Sequence, residues 1–130
     1  MPVKVVDASA VSALLFAEPD AEEIANRLRG YSLASPALLT FEVASVCLKK
    51  MRRHAARKTS LLAAYGLLRR MEIVETAVNG SEVVVFAEQR GLTVYDAAYL
   101  WLAKKLGAEL VTLDKKLSKA ARDSGRSAVV

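Results

Sequence analysis

The sequence predicts an α/β fold in which a mainly parallel sheet is flanked by helices. Short β-branched or apolar segments alternate with helical segments along the chain, which is typical of βαβ units. The first such segment, over 3–6, is Val-Lys-Val-Val, a composition that favours a central strand with apolar neighbours on both faces. At 130 residues, we expect one domain over 1–130 that is long enough to bury a core.

Apolar periodicity and capping residues predict the remaining elements. We expect helices over 10–17, 20–29, 35–53, from 59 or 60 to 71, 96–106 and from 115 to about 124. Another helix is expected to follow a turn at 79–81 and to end at residue 90. Short strands are expected over 31–34, 72–75 and 108–113, with an edge strand over 128–130. The expected helix caps are Asp20, Ser35 before Pro36, and Thr59 or Ser60.

Composition restricts the class of protein. The apolar fraction of 53% argues against disorder, and no apolar run approaches the ~20 residues that a membrane span requires. Because a strand is predicted directly at the N-terminus, we expect no signal peptide. The single cysteine, Cys47, excludes an internal disulfide, so we expect a cytoplasmic protein in which this thiol packs among apolar neighbours.

Positive charge is in excess and clustered. The net charge of +5 favours a polyanionic partner, and nucleic acid is the first candidate. One basic run surrounds His54 and contains Lys49, Lys50, Arg52, Arg53, Arg57 and Lys58. A second group comprises Lys115, Lys116, Lys119, Arg122 and Arg126. A solvated helix face and a phosphate-binding surface both remain open as interpretations.

Glu42 is the acid least suited to its surroundings. On the predicted long helix its neighbours three and four residues away are Leu38, Leu39, Ser45 and Val46. Since that face is nearly apolar, we expect the carboxylate to point inward. Burying an ionised carboxylate costs several kcal/mol unless it is paired or binds a metal. A metal site and a structural ion pair with an arginine are both compatible with this position.

Three aspartates stand at predicted junctions between elements. Asp7 and Asp114 follow strands, and Asp96 opens a helix; each alone is explained as a helix cap. Together, at one end of the sheet with Glu42, they would repel one another unless divalent cations neutralised them. Hard oxygen ligands favour Mg²⁺ or Mn²⁺. The one histidine, His54, lies in the basic run, which argues against zinc and Ser-His-Asp hydrolases.

The chain resembles the PIN-domain ribonucleases, in particular the small VapC-type toxins of toxin–antitoxin pairs. The resemblance rests on four stretches in this order: Val5-Val6-Asp7-Ala8-Ser9, Thr40-Phe41-Glu42-Val43-Ala44, Tyr95-Asp96-Ala97-Ala98-Tyr99 and Val111-Thr112-Leu113-Asp114. It implies a PIN-like three-layer sandwich whose metal site consists of Asp7, Glu42, Asp96 and Asp114. Ser9 and Thr112 match the hydroxyl residues that often stand beside that site. A fifth acid of some members is absent, because Lys115, Lys116 and Leu117 follow here.

The resemblance also implies a function. It predicts an Mg²⁺- or Mn²⁺-dependent endoribonuclease with an RNA substrate, restrained by a small antitoxin protein and commonly present as a homodimer. Trp101 is a candidate dimer contact, although it could equally pack within its own chain. The alternative is an inactive PIN scaffold that binds RNA or protein. A haloacid-dehalogenase phosphatase is disfavoured, because its second Asp would stand where Ser9 is.

Overall fold

The computed structural model describes residues 2–128, with side chains over 2–123. Within this described part, four parallel strands form one sheet in the order β3-β2-β1-β4. Strand β1 is Val3–Val6, β2 is Ser32–Ser35, β3 is Val74–Glu75 and β4 is Glu109–Val111. Because β1 lies between two neighbours and both its faces are covered, Val5 and Val6 are fully buried. The predicted α/β class with a parallel sheet is confirmed.

In residues 2–128, seven α-helices connect and cover the strands. They are α1 (Ala8–Leu15), α2 (Ala21–Leu28), α3 (Leu39–Arg53), α4 (Lys58–Gly66), α5 (Gly80–Arg90), α6 (Val94–Leu106) and α7 (Lys115–Ala128). Short 3₁₀ helices lie at Ala55–Arg57 and Leu67–Met71. Helix α1 packs against α2 and α3, and α3 against α4, whereas α5, α6 and α7 pack in succession. These two groups of helices and the sheet give the predicted three layers.

The core draws on every layer. Its fully buried side chains include Ile24, Tyr99, Leu102 and Leu117 beside the valines of β1. Cys47 is buried as predicted, and its thiol donates to the carbonyl of Leu61 at 3.6 Å. Within the described residues, no helix is long and apolar enough to cross a membrane.

Several predicted boundaries are wrong. Ser35 does not cap α3, because it belongs to β2, where its carbonyl accepts from Thr76 at 2.8 Å; α3 begins at Leu39. Asp20 precedes α2 without a side-chain capping bond, and α4 begins at Lys58, before the expected caps. Its continuation to residue 71 is a 3₁₀ helix.

Two further boundaries differ near the C-terminal half. Helix α6 begins at Val94, since Thr93 is the cap and accepts from the Asp96 N–H at 3.1 Å. Helix α7 continues through residue 125 to Ala128. Of the edge strand expected over 128–130, Val129 and Val130 lie outside the described residues.

Candidate metal centre

Asp7 is fixed by three hydrogen bonds at the end of β1. Its Oδ1 accepts from the Ser9 hydroxyl at 2.7 Å and from the Ala10 N–H at 3.1 Å, and its Oδ2 accepts from the Thr112 hydroxyl at 2.5 Å. The residue is 6% exposed. Asp7 is therefore the cap of α1 and at the same time a carboxylate at the carboxyl edge of the sheet, where open α/β folds bind ligands.

Ser9 and Thr112 join the ends of β1 and β4. The Ser9 hydroxyl oxygen accepts from the Leu113 N–H at 2.8 Å, and the Thr112 hydroxyl oxygen accepts from the Asp114 N–H at 3.0 Å. Both hydroxyls thus use their proton on Asp7 and their lone pairs on the backbone that leads to Asp114. This network fixes the position of Asp7 relative to the segment that carries Asp114.

Glu42 lies in the first turn of α3 and reaches α6. Its Oε1 accepts from the Tyr99 hydroxyl at 2.6 Å, and Tyr99 is 1% exposed. The partner is a hydroxyl, and the ion pairs formed by the described residues do not include Glu42. The interpretation of Glu42 as the partner of an arginine is therefore wrong for this part of the chain.

Asp96 and Asp114 complete the set. Asp96 is in the first turn of α6, with its N–H bound to Thr93. Asp114 caps α7, because its Oδ1 accepts from the Leu117 N–H at 2.9 Å. Asp114 follows β4 at the carboxyl edge of the sheet, and Asp96 is close enough to Asp114 and Asp7 for their charges to act on it.

The four acids act on one another electrostatically. Burial raises the pKa of Asp7, and the charge of Asp114 adds to this, while the Thr112, Ser9 and Ala10 donors oppose it. The pKa of Glu42 is raised by burial and by the charges of Asp96 and Asp7, against the Tyr99 hydrogen bond.

Asp96 follows the same pattern. Burial raises its pKa, as do the charges of Asp114 and Asp7, and the ammonium of Lys116 opposes them. The structure thus brings all four predicted acids within electrostatic range of one another, at one end of the sheet. Lys116 belongs to the second basic group, and it is the cation that acts on this cluster through Asp96.

Each acid keeps an oxygen that could bind a cation. Among the described residues, Asp7 Oδ2 accepts a single hydrogen bond, and Glu42 Oε2, both oxygens of Asp96 and Asp114 Oδ2 accept none. A carboxylate oxygen has two lone pairs, so these positions remain available. An all-oxygen set of this kind suits Mg²⁺ or Mn²⁺. In the described part of the chain, however, no three His, Cys, Asp or Glu side chains are close enough to enclose a metal ion as they stand.

The basic run around His54 lies away from these acids. Helix α3 begins beside the cluster and ends at Arg53, so at 1.5 Å per residue Lys49 is about 10 Å further along the axis than Glu42. Lys50 forms an ion pair with Glu18 at 2.8 Å, whereas the other basic residues of the run are exposed. A substrate bound at the acids could therefore contact only the part of the basic run that begins at Lys49.

Three features of this region were not predicted. The Tyr99 hydroxyl is the partner of Glu42, and its only signal was the spacing of three residues that places Tyr99 on the same helix face as Asp96. Burial, followed by the hydrogen bond and charge of Glu42, raises the Tyr99 pKa. Phe41 and Tyr95, each directly before an acid, are 78% and 62% exposed.

Trp101 packs partly within its own chain. Its indole N–H donates to Glu82 Oε1 on α5 at 3.1 Å, and its ring contacts the core while remaining partly accessible. The sequence left open whether Trp101 packs within its own chain or is exposed to a partner. Within its own chain, Trp101 is packed on one side and partly exposed on the other.

Comparisons with known proteins identify the family of this chain. A family model described as PIN domain matches residues 4–123. Ribonuclease VapC3 from Pyrobaculum aerophilum is 32% identical over 120 residues, which cover 88% of this chain and 92% of that protein. The crystal structure of PAE2754 from Pyrobaculum aerophilum superimposes with a TM-score of 0.74 at 23% identity, covering 98% of this chain and 96% of that one. The chain belongs to the PIN domain family.

Proposed function

We propose that this protein is an Mg²⁺- or Mn²⁺-dependent endoribonuclease that hydrolyses RNA phosphodiester bonds. The observation that carries the proposal is the convergence of Asp7, Glu42, Asp96 and Asp114, in which the pKa values of the first three are raised by burial and by neighbouring carboxylates. Clusters of acids whose pKa values are shifted by burial and by like charges are typical of functional sites. A divalent cation is the partner that would offset their repulsion.

Each side chain has a defined part in this site. Asp7 is held rigidly by Ser9, Ala10 and Thr112, so its remaining lone pair on Oδ2 has a fixed direction. Tyr99 orients Glu42 through Oε1 and leaves Oε2 for a cation. Among the described residues, both oxygens of Asp96 and Oδ2 of Asp114 accept no hydrogen bond, so they too are available to a cation. When bound, Mg²⁺ or Mn²⁺ would activate a water and stabilise charge on the phosphate.

The rim of the site suits single-stranded RNA. Lys116 lies close enough to Asp96 to act on its pKa, and its ammonium can contact a phosphate there. Phe41 and Tyr95 expose their rings beside Glu42 and Asp96. Unpaired bases stack on exposed aromatic side chains, which favours an unpaired RNA segment over a duplex.

The relative named Ribonuclease VapC3 supports both the nuclease activity and the assignment to a toxin–antitoxin pair. By the family resemblance we propose a small antitoxin protein as the partner, a homodimer as the assembly, a single domain over 1–130 and a cytoplasmic location. Sedimentation of wild type and Trp101→Ala over a concentration series tests the assembly. A monomeric wild type at high micromolar concentration would exclude the dimer, and an unchanged dimer in the variant would remove Trp101 from its interface.

Cleavage of a labelled, unstructured RNA is the test of the activity. We expect internal cleavage with Mg²⁺ or Mn²⁺ and none with a chelator, because without the cation no water is activated and the charge on the phosphate is not stabilised. Binding of the RNA without cleavage under any divalent cation would instead support the binding-only scaffold.

A further inference from the structure

A cavity of about 390 Å³ opens beside the acids on the same edge of the sheet. Ser35 and Glu75, which end β2 and β3, contribute to its wall. Thr40, two residues before Glu42 on α3, contributes as well. Since β2 is the direct neighbour of β1, whose end carries Asp7, the cavity is next to the acid cluster along the sheet. A base of an RNA strand held at the acids is therefore a candidate occupant.

The apolar part of this cavity suits a planar ring. Leu39, Leu68 and Ile73 form it, together with the ring of Tyr65. The Tyr65 hydroxyl donates to the Thr40 carbonyl at 3.1 Å, which ties α4 to α3 and holds the ring in place. A volume near the lower end of the usual range for ligand pockets is sufficient for one nucleobase but not for a folded peptide element.

The charged part of the cavity is chemically specific. Arg69 and Glu75 both line it, and among the described residues neither side chain forms a hydrogen bond or an ion pair. Arg69 supplies only donors and Glu75, when ionised, only acceptors. Guanine presents the matching groups on two edges: O6 and N7 accept, while N1–H and the N2 amino group donate. Adenine and the pyrimidines do not offer this combination.

We propose that the cavity binds an unpaired guanine base of the RNA substrate, with Tyr65 against the ring, Arg69 on O6 and N7, and Glu75 on N1–H and N2–H. The proposal rests on the proposed ribonuclease function and deepens it, because it assigns a base preference next to the cleaved bond. Phosphate contacts carry no sequence information, so such a preference requires a base-edge contact of this kind.

The chain provides a matched control for each charged residue. Arg70 and Glu72 are exposed, lie in the same segment and do not line the cavity. Arg69→Met and Arg70→Met remove the same charge one residue apart. Glu75→Gln and Glu72→Gln do so for the carboxylates. Non-specific electrostatic effects on RNA binding are therefore equal within each pair, and only the cavity contacts differ.

Binding is measured first in a chelator, so that cleavage does not interfere. The probes are short fluorescent oligouridines that carry one central guanosine, inosine, 7-deazaguanosine or adenosine. We expect wild type to bind the guanosine oligomer about tenfold more tightly than the adenosine oligomer. Inosine lacks the N2 amino group and 7-deazaguanosine lacks N7, so each should lose several-fold. Glu75→Gln should be less sensitive than wild type to the inosine change, because only one acceptor oxygen remains. Arg69→Met should be insensitive to the 7-deaza change, and the two control variants should behave as wild type.

Equal binding of all oligomers by wild type, or equal losses in the cavity variants and their controls, would overturn the proposal. The same oligomers are then incubated with Mn²⁺. Cleavage without any base preference refutes the guanine site and leaves the nuclease intact. Guanosine-selective binding without cleavage refutes the nuclease and leaves the base site intact.

Discussion

The carboxylates at the two edges of the sheet have different partners. At the amino edge, Glu109 at the start of β4 accepts Lys4 on one oxygen at 3.0 Å and Arg27 on the other at 3.2 Å. The Lys4 ammonium also donates to the Arg27 carbonyl at 2.6 Å and lies 3.9 Å from the centre of the Tyr31 ring. Within the described residues, Lys4 and Arg27 are thus both paired with the carboxylate of Glu109.

At the carboxyl edge, acids face acids. Burial raises the pKa of Asp7, and the charge of Asp114 raises it further. Burial also acts to raise the pKa of Glu109, but there Lys4 and Arg27 outweigh it and lower the pKa. Both sites contain carboxylates in one small fold, so the difference lies in the partners. We infer that the amino edge serves stability, and that the carboxyl edge is kept unneutralised for a ligand.

The largest expected effect on RNA cleavage comes from replacing one carboxylate oxygen of Asp7 by an amide nitrogen. Asp7→Asn should lower RNA cleavage by more than about a hundredfold, since loss of a ligand exceeds the usual effect of its outer partners. Its thermal stability should be unchanged or higher, because one repelling charge is gone. Glu109→Gln is the control and should keep its activity. Full cation-dependent cleavage by Asp7→Asn would remove this residue from the site.

Tyr99→Phe should have the next largest effect. The variant keeps the buried ring but withdraws the donor from Glu42 Oε1. We expect cleavage to fall about 10–100-fold. Because the Tyr99 bond opposes the rise of the Glu42 pKa, the acidic limb of the pH–rate profile should move to higher pH. A pH profile identical to that of wild type would show that the Tyr99 hydroxyl does not affect Glu42 and that Tyr99 only packs in the core.

Glu109→Gln should lower the free energy of unfolding by about 0.2–1 kcal/mol. The magnitude is small because half of the Glu109 side chain is exposed and solvent screens the pair. The loss should shrink with added salt. Urea unfolding at low and high salt measures it, and a loss that salt does not change would point to packing instead of charge.

The pH dependence of stability should separate the two edges. The metal-free carboxyl edge contributes stability that is complete below the ordinary pKa values, 3.8 for Asp7 and Asp96 and 4.5 for Glu42, and that is lost as pH rises through the raised values. Glu109 has the opposite sign: its contribution is present above 4.5 and is lost as pH falls through its lowered pKa.

Variants make this difference measurable. In chelator, melting curves of Asp7→Asn should show less loss of stability above pH 4 than wild type, and Glu109→Gln should show less loss on the acid side. If both variants changed the same side of the profile, the comparison between the edges would be wrong.

The sequence predicted the acids better than their surroundings. Asp7 and Asp114 could be placed because Asp7 directly follows β1 and Asp114 comes three residues after β4, and the carboxyl ends of parallel strands share an edge. The hydrogen bond between Glu42 and Tyr99 joins residues that are 57 apart in sequence, so no local sequence pattern predicts it. The separation of the basic run from the acids likewise depends on the direction of α3, which only the packed fold determines.

Helix starts show the same limit. Serine is a preferred helix cap, and Ser35 stands directly before Pro36. In the structure, however, Ser35 pairs with β3 and its carbonyl accepts from the Thr76 N–H, so the residue belongs to a strand instead of capping a helix. At α6 the competing cap was Thr93, three residues before Asp96, so the helix begins earlier and Asp96 lies within its first turn. Capping preferences give candidates, and tertiary pairing selects among them.

Thermal melting of metal-free protein with and without Mn²⁺ tests the central claim most directly. Ion binding to the folded acids should stabilise wild type by about 2.7 kcal/mol at a hundred times Kd, and this corresponds to a rise in Tm on the order of 10 °C. Glu42→Gln and Asp7→Asn should each show a smaller rise, and Glu109→Gln the full one. An equal rise in all four proteins, or none in wild type, would contradict a cation site at the carboxyl edge.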